Sequence, residues 1–433
     1  MLFLCGGRHC AVYAPMLTLV LGGAASGKSE YAEALVLRSA LPRYYLATMQ
    51  VWDAECATRV EKHRKMRAAK QFETLECPLH LETVRLPCRG TALLEDLGNL
   101  TANELYDPAG AGDAAAERIL QGLDALAAQC ENLVIVSNEV FSGGADYVGD
   151  TDRYLLALAR VNNALAARAD AVILTLGEPE GDSGEGNSKQ NLELPEAQYA
   201  LLNAVLRANQ NTAVLLFSGR PLAISRLAEK ARAIFLMWQP GTEGGNAAAE
   251  LLFGIATPEG KLPMSFPYAT GQCPIYYNHC NTGRPRVNDA VRTGYCSSYI
   301  DGPNAPLYPF GYGLSYTAFS YSSPAVSSAV MRRGEKVTVS VTVQNVGARA
   351  GTETVQLYLR DKAASVTRPI KELKGFKKVF LQAGEAQTVQ FTITEDMLKF
   401  YNAESEYIAE AGEFEAYAGG DSDCAESVSF RLL

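Results

Sequence analysis

The segment LTLVLGGAASGKS, residues 17–29, determines the fold expected for the first part of the chain. Its apolar residues at 17–21 are typical of a buried strand, and residues 30–38 after it have helical composition. A G-x-x-x-x-G-K-[ST] turn between a strand and a helix binds phosphate, because the backbone N–H groups of the turn and the helix N-terminus face the anion. The sequence therefore predicts a phosphate-binding loop (P-loop) made of Gly22, Gly23, Ala24, Ala25, Ser26, Gly27, Lys28 and Ser29.

The composition of the whole chain limits the class of protein. Its 433 residues are 48% hydrophobic and 20% charged, which is typical of soluble globular domains. The net charge of −9 argues against binding to nucleic acid, which favours a basic surface. No apolar run is long enough to span a bilayer. Residues 1–15 have too short an apolar core for a secretory signal, so we expect a disordered extension there.

Ten cysteines are dispersed along the chain without a C-x-x-C pair. Dispersed cysteines beside a nucleotide-binding loop are typical of reduced thiols, so we expect a cytoplasmic protein. A disulfide between two of Cys273, Cys280 and Cys296 is the alternative, because spacing alone does not determine pairing. Whether the chain forms a homo-oligomer is left open by the sequence.

Hydrophobic periodicity divides the chain into an α/β part and an all-β part. Apolar strands alternate with helical patterns up to about residue 300, which predicts a mostly parallel sheet. Strands are expected at residues 133–136, 172–176, 213–217 and 233–237, with a helix from 195 to about 209. From about residue 324 the apolar residues alternate with polar ones, and turns containing glycine separate the segments, which predicts an all-β sandwich.

A basic segment at residues 59–67 carries a candidate nucleophile. If the segment is helical, Arg59, His63 and Arg67 lie on one face. Neighbouring cations disfavour imidazolium, so His63 is expected to be neutral, as attack on phosphorus requires. The alternative interpretation is a solvated basic helix face.

Residues 16–170 resemble the bifunctional adenosylcobinamide kinase / adenosylcobinamide-phosphate guanylyltransferase family. The resemblance lies in the loop at 22–29, YLAT at 45–48, the Arg59–His63–Arg67 segment, LLE at 93–95, VSNEV at 136–140 and RVNNALA at 160–166. It implies adenosylcobinamide as the partner, GTP or ATP as co-substrates and Mg²⁺ as cofactor. It also implies roles for single residues. Lys28 would be catalytic and His63 would be the guanylylated nucleophile. Arg59, Arg67 and Glu95 would bind nucleotide, with Ser29 and Glu95 holding the metal and Asp96 as the alternative to Glu95.

The rest of the chain resembles the C-terminal part of a family 3 glycoside hydrolase of the β-glucosidase/β-xylosidase type. The motifs are LGE at 176–178, SGE at 183–185, GRPL at 219–222, WQPGTEGGN at 238–246, GKLPMSFP at 260–267, NTGRP at 281–285, YPFGYGLSY at 308–316 and KELKGF at 371–376. The last of these falls in a fibronectin type III-like module. By this resemblance Glu185 is the glycosidase acid/base and Glu178 the weaker alternative.

The two resemblances together predict a multidomain fusion. It would hold an extension (1–15), an α/β P-loop parallel sheet (16–170), a partial α/β sandwich (171–320) and an all-β fibronectin type III-like sandwich (321–433). The barrel that carries the family 3 nucleophile takes about 250 residues, so we expect the nucleophile to be absent and glycosidase turnover to be near background. The main functional expectation is therefore the kinase and guanylyltransferase. The alternatives are a β-glycosidase acting on glycosides and a non-catalytic misjoined product.

Overall fold

The computed structural model describes residues 16–22, 28–50, 70–138, 149–282, 284 and 295–433. Its first part is built on one sheet of eight parallel strands, in the order β3-β2-β4-β5-β1-β6-β7-β8. The strands are β1 (Met16–Gly22), β2 (Arg43–Ala47), β3 (Glu73–Glu76), β4 (Gly90–Glu95), β5 (Cys130–Asn138), β6 (Ala171–Gly177), β7 (Thr212–Phe217) and β8 (Ala233–Trp238). The predicted parallel α/β sheet is therefore confirmed.

Seven helices of the described residues accompany this sheet. They are α1 (Lys28–Leu37), α2 (Leu97–Tyr106), α3 (Ala115–Ala127), α4 (Asp150–Arg168), α5 (Glu196–Ala208), α6 (Ser225–Ala228) and α7 (Gly244–Leu252). Successive residues of a strand point to opposite faces, and β1 shows this clearly. Leu19 and Leu21 contribute to a core with residues of α2 to α6. Val20 contributes to the other core, with residues of α1 and α7. Both faces are thus covered, as parallel sheets require.

The sheet continues through the chain position at which two domains were expected to meet. Residues Thr18–Leu21 of β1 pair in parallel with Ala171–Leu174 of β6. The Leu17 N–H donates to the Asp170 carboxylate at 3.0 Å. Strands from both sides of residue 170 therefore share one hydrogen-bonded sheet and one core, and the division of the chain at that residue stays a prediction.

The last part of the chain is all-β, as the two-residue period predicts. Its strands are β9 (Phe319–Tyr321), β10 (Ala325–Val326), β11 (Val330–Met331), β12 (Lys336–Asn345), β13 (Gly351–Asp361), β14 (Glu372–Leu381), β15 (Ala386–Thr394), β16 (Phe400–Tyr401), β17 (Tyr407–Ile408), β18 (Gly412–Gly419) and β19 (Ser427–Leu432). β16 and β17 form a separate two-stranded sheet. Of the two larger sheets, one holds β10, β12 and β15, with β9 beside β12, and the other has the order β11-β19-β18-β13-β14. Val337, Val339, Val341 and Val343 of β12 all point into the core between them.

The described residues also bear on membrane-spanning helices and on a possible disulfide. Among the helices of the described residues, none has the length and apolar character needed to cross a membrane. The structure shows no disulfide between any two of Cys273, Cys280 and Cys296, which are all described, so the disulfide considered as an alternative is not formed.

Candidate active site

The candidate active site lies where β6 and β7 end. Glu178 directly follows β6, and Ser218, Gly219 and Arg220 directly follow β7. These strands are parallel neighbours, so their carboxyl ends meet at one edge of the sheet, where ligand sites of open α/β folds form. The Glu178 N–H donates to the Phe217 carbonyl at 2.9 Å, which extends the pairing by one residue into the site.

Glu178 is buried in a cluster of charges. Only 3% of its side chain is exposed. Its Oε2 lies 3.3 Å from Nε of Arg220 and accepts a hydrogen bond from the Ser218 hydroxyl at 3.1 Å. Its Oε1 lies 3.4 Å from the Lys189 ammonium. A buried carboxylate requires such partners, because its desolvation is otherwise very costly. The side chain of Glu178 is thus held by Arg220, Ser218 and Lys189 and has little exposed surface.

Glu185 lies on the loop between β6 and α5 and is exposed. Gly184 and Gly186 flank it with φ values of 126° and 80°, in a region that residues with a side chain rarely adopt. The turn is closed by a hydrogen bond of 3.2 Å from the Asn187 N–H to the Gly184 carbonyl. The loop thus presents the Glu185 carboxyl group to solvent at the edge of the sheet where β6 and β7 end.

The residues that hold this loop were not singled out from the sequence as site residues. Arg220 donates to the backbone carbonyls of Asp182 and Asn187. Lys189 lies 2.6 Å from the Asp182 carboxylate. Burial disfavours the Lys189 ammonium, but Asp182 and Glu178 more than offset this, so the pKa of Lys189 is raised. The one signal in the sequence was the motif at 219–222, which indicated family resemblance without indicating a role.

A second polar cluster lies where β1 and β4 end, and it contains part of the predicted nucleotide site. The Ser29 hydroxyl donates to Oε1 of Glu95 at 2.5 Å, and Lys28 is buried beside β1. Asp96, the alternative to Glu95, accepts hydrogen bonds from the Asn99 N–H and the Asn138 amide, both at 2.7 Å. Asp96 therefore caps α2. Arg59, His63, Arg67 and residues 23–27 lie outside the described residues, so their roles stay predictions.

Burial is the main cause that raises the pKa of Glu95 to about 7, and the carboxylate of Asp96 adds to it. The folded chain therefore keeps a proton on Glu95 that the unfolded chain loses near its ordinary value of 4.5. Folding is then less favourable as the pH rises from 4.5 to about 7, by up to about 3 kcal/mol.

We expect Glu95→Gln to remove this fall of the free energy of unfolding with rising pH, because glutamine has the same shape as glutamate and does not ionise. Urea unfolding in a chelator, measured from pH 5 to pH 8, should show stability falling more steeply for the wild type than for Glu95→Gln. The exposed Glu229→Gln variant is the control and should follow the wild type. Parallel curves for the wild type and Glu95→Gln would contradict the assigned pKa.

A group of possible metal ligands lies away from both clusters. Ligand atoms of His80, Glu82 and Glu104 come within 4.8 Å of one another. Arg118 already supplies a cation to Glu82 at 3.1 Å. Both oxygens of Glu104 accept backbone N–H groups, from His80 at 2.7 Å and from Ala111 at 3.0 Å. Both oxygens of Glu104 and Oε1 of Glu82 thus already have protein partners, whereas Oε2 of Glu82 has no hydrogen-bond partner among the described residues.

Comparison with known proteins identifies similarities along most of the chain. The model of the glycosyl hydrolase family 3 C-terminal domain matches residues 91–316, and that of the fibronectin type III-like domain matches residues 353–422. The chain is 47% identical over 268 residues to the periplasmic β-glucosidase of Salmonella typhimurium, covering 62% of this chain and 35% of that protein. It is 33% identical over 351 residues to β-glucosidase BoGH3A of Bacteroides ovatus, covering 78% and 46%.

Solved structures agree with these sequence similarities. The β-glucosidase from Listeria innocua in complex with glucose superimposes with a TM-score of 0.62 at 35% identity, covering 80% of this chain and 46% of that one. The chain spans less than half the length of these three relatives.

The expected enzyme class, cobinamide kinase and guanylyltransferase, is wrong. The three relatives described above are β-glucosidases, and the family 3 model begins at residue 91, inside the segment that was expected to form the kinase. The physical reason is that a strand, a glycine-rich turn and a helix form a local pattern, and many parallel sheets contain it. Nothing among these relatives supports adenosylcobinamide or a nucleotide as partner. One relative is named periplasmic, so the cytoplasmic location stays a prediction.

Proposed function

Because the chain belongs to glycoside hydrolase family 3, we propose that residues 171–433 form one side of a site that hydrolyses β-glucosides or β-xylosides, with Glu185 as the general acid/base. The observation that carries the proposal is the exposed Glu185 carboxyl on a loop held by a partly buried ionic cluster. The relatives named β-glucosidase and β-xylosidase support this class of substrate.

In the proposed reaction Glu185 acts twice. As a carboxylic acid it protonates the glycosidic oxygen while the bond from that oxygen to the anomeric carbon breaks. A second carboxylate attacks the anomeric carbon and forms a glycosyl–enzyme ester. Glu185, now ionised, then takes a proton from the water that hydrolyses this ester and is restored to the acid form. In retaining enzymes the two carboxyl groups lie about 5 Å apart.

The exposure of Glu185 limits what this part of the chain does unaided. A glycosidase acid works in a cleft that excludes water and brings the second carboxylate close. Glu185 instead faces solvent in the described residues. The cleft therefore needs a further surface opposite the loop, and the expectation of slow turnover by this chain stays a prediction.

The experiment that tests the proposal compares two aryl β-glucosides. Protonation matters for 4-nitrophenol as leaving group and matters little for 2,4-dinitrophenol, which leaves readily as the anion. If Glu185 is the acid, Glu185→Gln must affect the first substrate much more than the second. An equal effect on both substrates would refute the assigned role.

We propose separately that Ser29 and Glu95 hold Mg²⁺ for a bound nucleoside triphosphate, with Lys28 near its phosphates. The 2.5 Å contact between the Ser29 hydroxyl and Glu95 supports this, because hydroxyl and carboxylate oxygens are ligands that Mg²⁺ prefers.

Calorimetry with GTP or ATP tests the nucleotide proposal directly. We expect magnesium-dependent binding by the wild type and no detectable binding by Lys28→Ala, because the ammonium would balance phosphate charge. Lys230→Ala, which removes an exposed lysine that contacts Asn203, is the matched control and should bind as the wild type does. Equal affinity in all three proteins would contradict the proposal.

A further inference from the structure

We propose that Arg220 is a positioning residue that holds the loop bearing Glu185 in its working conformation. The inference rests on the proposed function, since it concerns the same acid/base. Arg220 is separated from Glu185 by 35 positions in sequence, and it touches the loop on both sides of that residue.

The Arg220 guanidinium contacts the loop at two residues and also contacts the end of β6. Its Nη2 donates to the carbonyl of Asp182, three residues before Glu185, and lies 3.4 Å from the carbonyl of Asn187, two residues after it. Its Nε lies 3.3 Å from Glu178, where β6 ends. Because the guanidinium is planar and rigid, these contacts fix the start and the end of the turn relative to the sheet.

Charges of opposite sign are paired beneath the turn. Lys189, at the far end of the loop, lies 2.6 Å from Asp182 and 3.4 Å from Glu178. Two cations and two carboxylates thus form one connected network. Removing Arg220 would leave buried Glu178 with a single cation and would leave the carbonyls of Asp182 and Asn187 without this donor.

Two hydrogen bonds from Asn187 also stabilise the turn that bears Glu185. Asn187 donates from its side chain to the Gly181 carbonyl at 3.0 Å and from its backbone to the Gly184 carbonyl at 3.2 Å. These bonds are internal to the loop. They shape the turn without attaching it to the sheet, so Arg220 supplies a principal link between Glu185 and the rigid strands.

The first arm of the test measures loop mobility and needs no catalytic activity. Hydrogen–deuterium exchange of the Asp182 and Asn187 amides, which donate to the Pro179 and Gly184 carbonyls, should become at least about tenfold faster in Arg220→Gln than in the wild type. It should be intermediate in Arg220→Lys, which keeps the charge and loses the fork of donors. The control is Arg226→Gln, which breaks a bidentate pair with Glu196 on α5 and should leave the 182–187 amides unchanged. Unchanged exchange in both Arg220 variants would overturn the proposal.

The second arm separates positioning from general structural damage. Arg220→Gln should lower kcat/KM for 4-nitrophenyl β-glucoside about 100-fold and for 2,4-dinitrophenyl β-glucoside much less, as a displaced acid predicts. Adding Arg220→Gln to Glu185→Gln should then cause little further loss. Equal losses on both substrates would overturn the positioning role. If the wild type shows no hydrolysis that depends on Glu185, the proposed function fails, and the exchange arm alone decides whether Arg220 holds the loop.

Discussion

Where a surface opposite the loop supplies the second carboxylate, Glu185→Gln is expected to lower kcat/KM for 4-nitrophenyl β-glucoside by about 10²- to 10⁴-fold, the range typical of a lost general acid. The glutamine amide has the shape of the carboxyl group and cannot supply its proton. For 2,4-dinitrophenyl β-glucoside, kcat/KM should fall by less than about tenfold, because formation of the glycosyl–enzyme ester then needs little acid. Steady-state rates on both substrates, measured at high protein concentration, check the prediction.

Azide rescue and a control variant test the assignment of the acid/base role to Glu185. In Glu185→Ala, azide should raise kcat on the dinitrophenyl substrate and give a glycosyl azide, because the anion attacks the ester without needing a general base. The exposed Glu229→Gln variant should retain wild-type rates on both substrates. A chain whose turnover does not change in any Glu185 variant would show that another carboxyl group is the acid.

Gly177→Ala is expected to destabilise the α/β part of the chain by more than about 3 kcal/mol. Gly177 ends β6 with a φ of 143°, and a Cβ at this residue would lie 1.9 Å from the Phe217 carbonyl oxygen. Because Gly177 pairs with Phe217 in the sheet, the substitution must force β6 and β7 apart. The Gln198 side chain, which bonds both the N–H and the carbonyl of Gly177, would have to move as well.

Urea unfolding monitored by tryptophan fluorescence measures this loss of stability, since Trp238 lies at the end of β8. Gly181→Ala is the matched control, because a Cβ there has open space and Gly181 has no positive φ. It should unfold at the wild-type midpoint. Equal midpoints for Gly177→Ala and Gly181→Ala would show that the strands tolerate the side chain, and the contact described between Gly177 and Phe217 would be wrong.

Part of the candidate site could be predicted from the sequence. The motif at 183–185 indicated Glu185 through its resemblance to family 3 glycoside hydrolases, and the role of Glu185 stays a prediction. Glu178 was named as the weaker alternative acid, and the structure buries its side chain beside Arg220 and Lys189 while it leaves Glu185 exposed. Burial depends on which strands become neighbours, so no local pattern could have separated these two carboxylates.

The enzyme class was predicted wrongly because the motifs between residues 22 and 166 were ranked above the family 3 similarity, whose nucleophile-bearing barrel was expected to be absent. Those motifs are short and separated, whereas the family 3 match extends over residues 91–316. Short patterns recur in unrelated folds, since a strand followed by a glycine-rich turn and a helix satisfies the same backbone geometry in many sheets. Long ordered similarity is far more specific.

The sequence by itself determined which segments become strands and helices. The apolar runs at 172–176 and 213–217 are the centres of β6 and β7, and alternating valines form β12, because side-chain periodicity follows directly from backbone geometry. Only the tertiary structure decided that β1 lies between β5 and β6, and that Arg220 reaches Glu178, 42 positions away. Strand order and buried ion pairs depend on how distant segments share one core, and no periodic pattern in the amino-acid sequence predicts that arrangement.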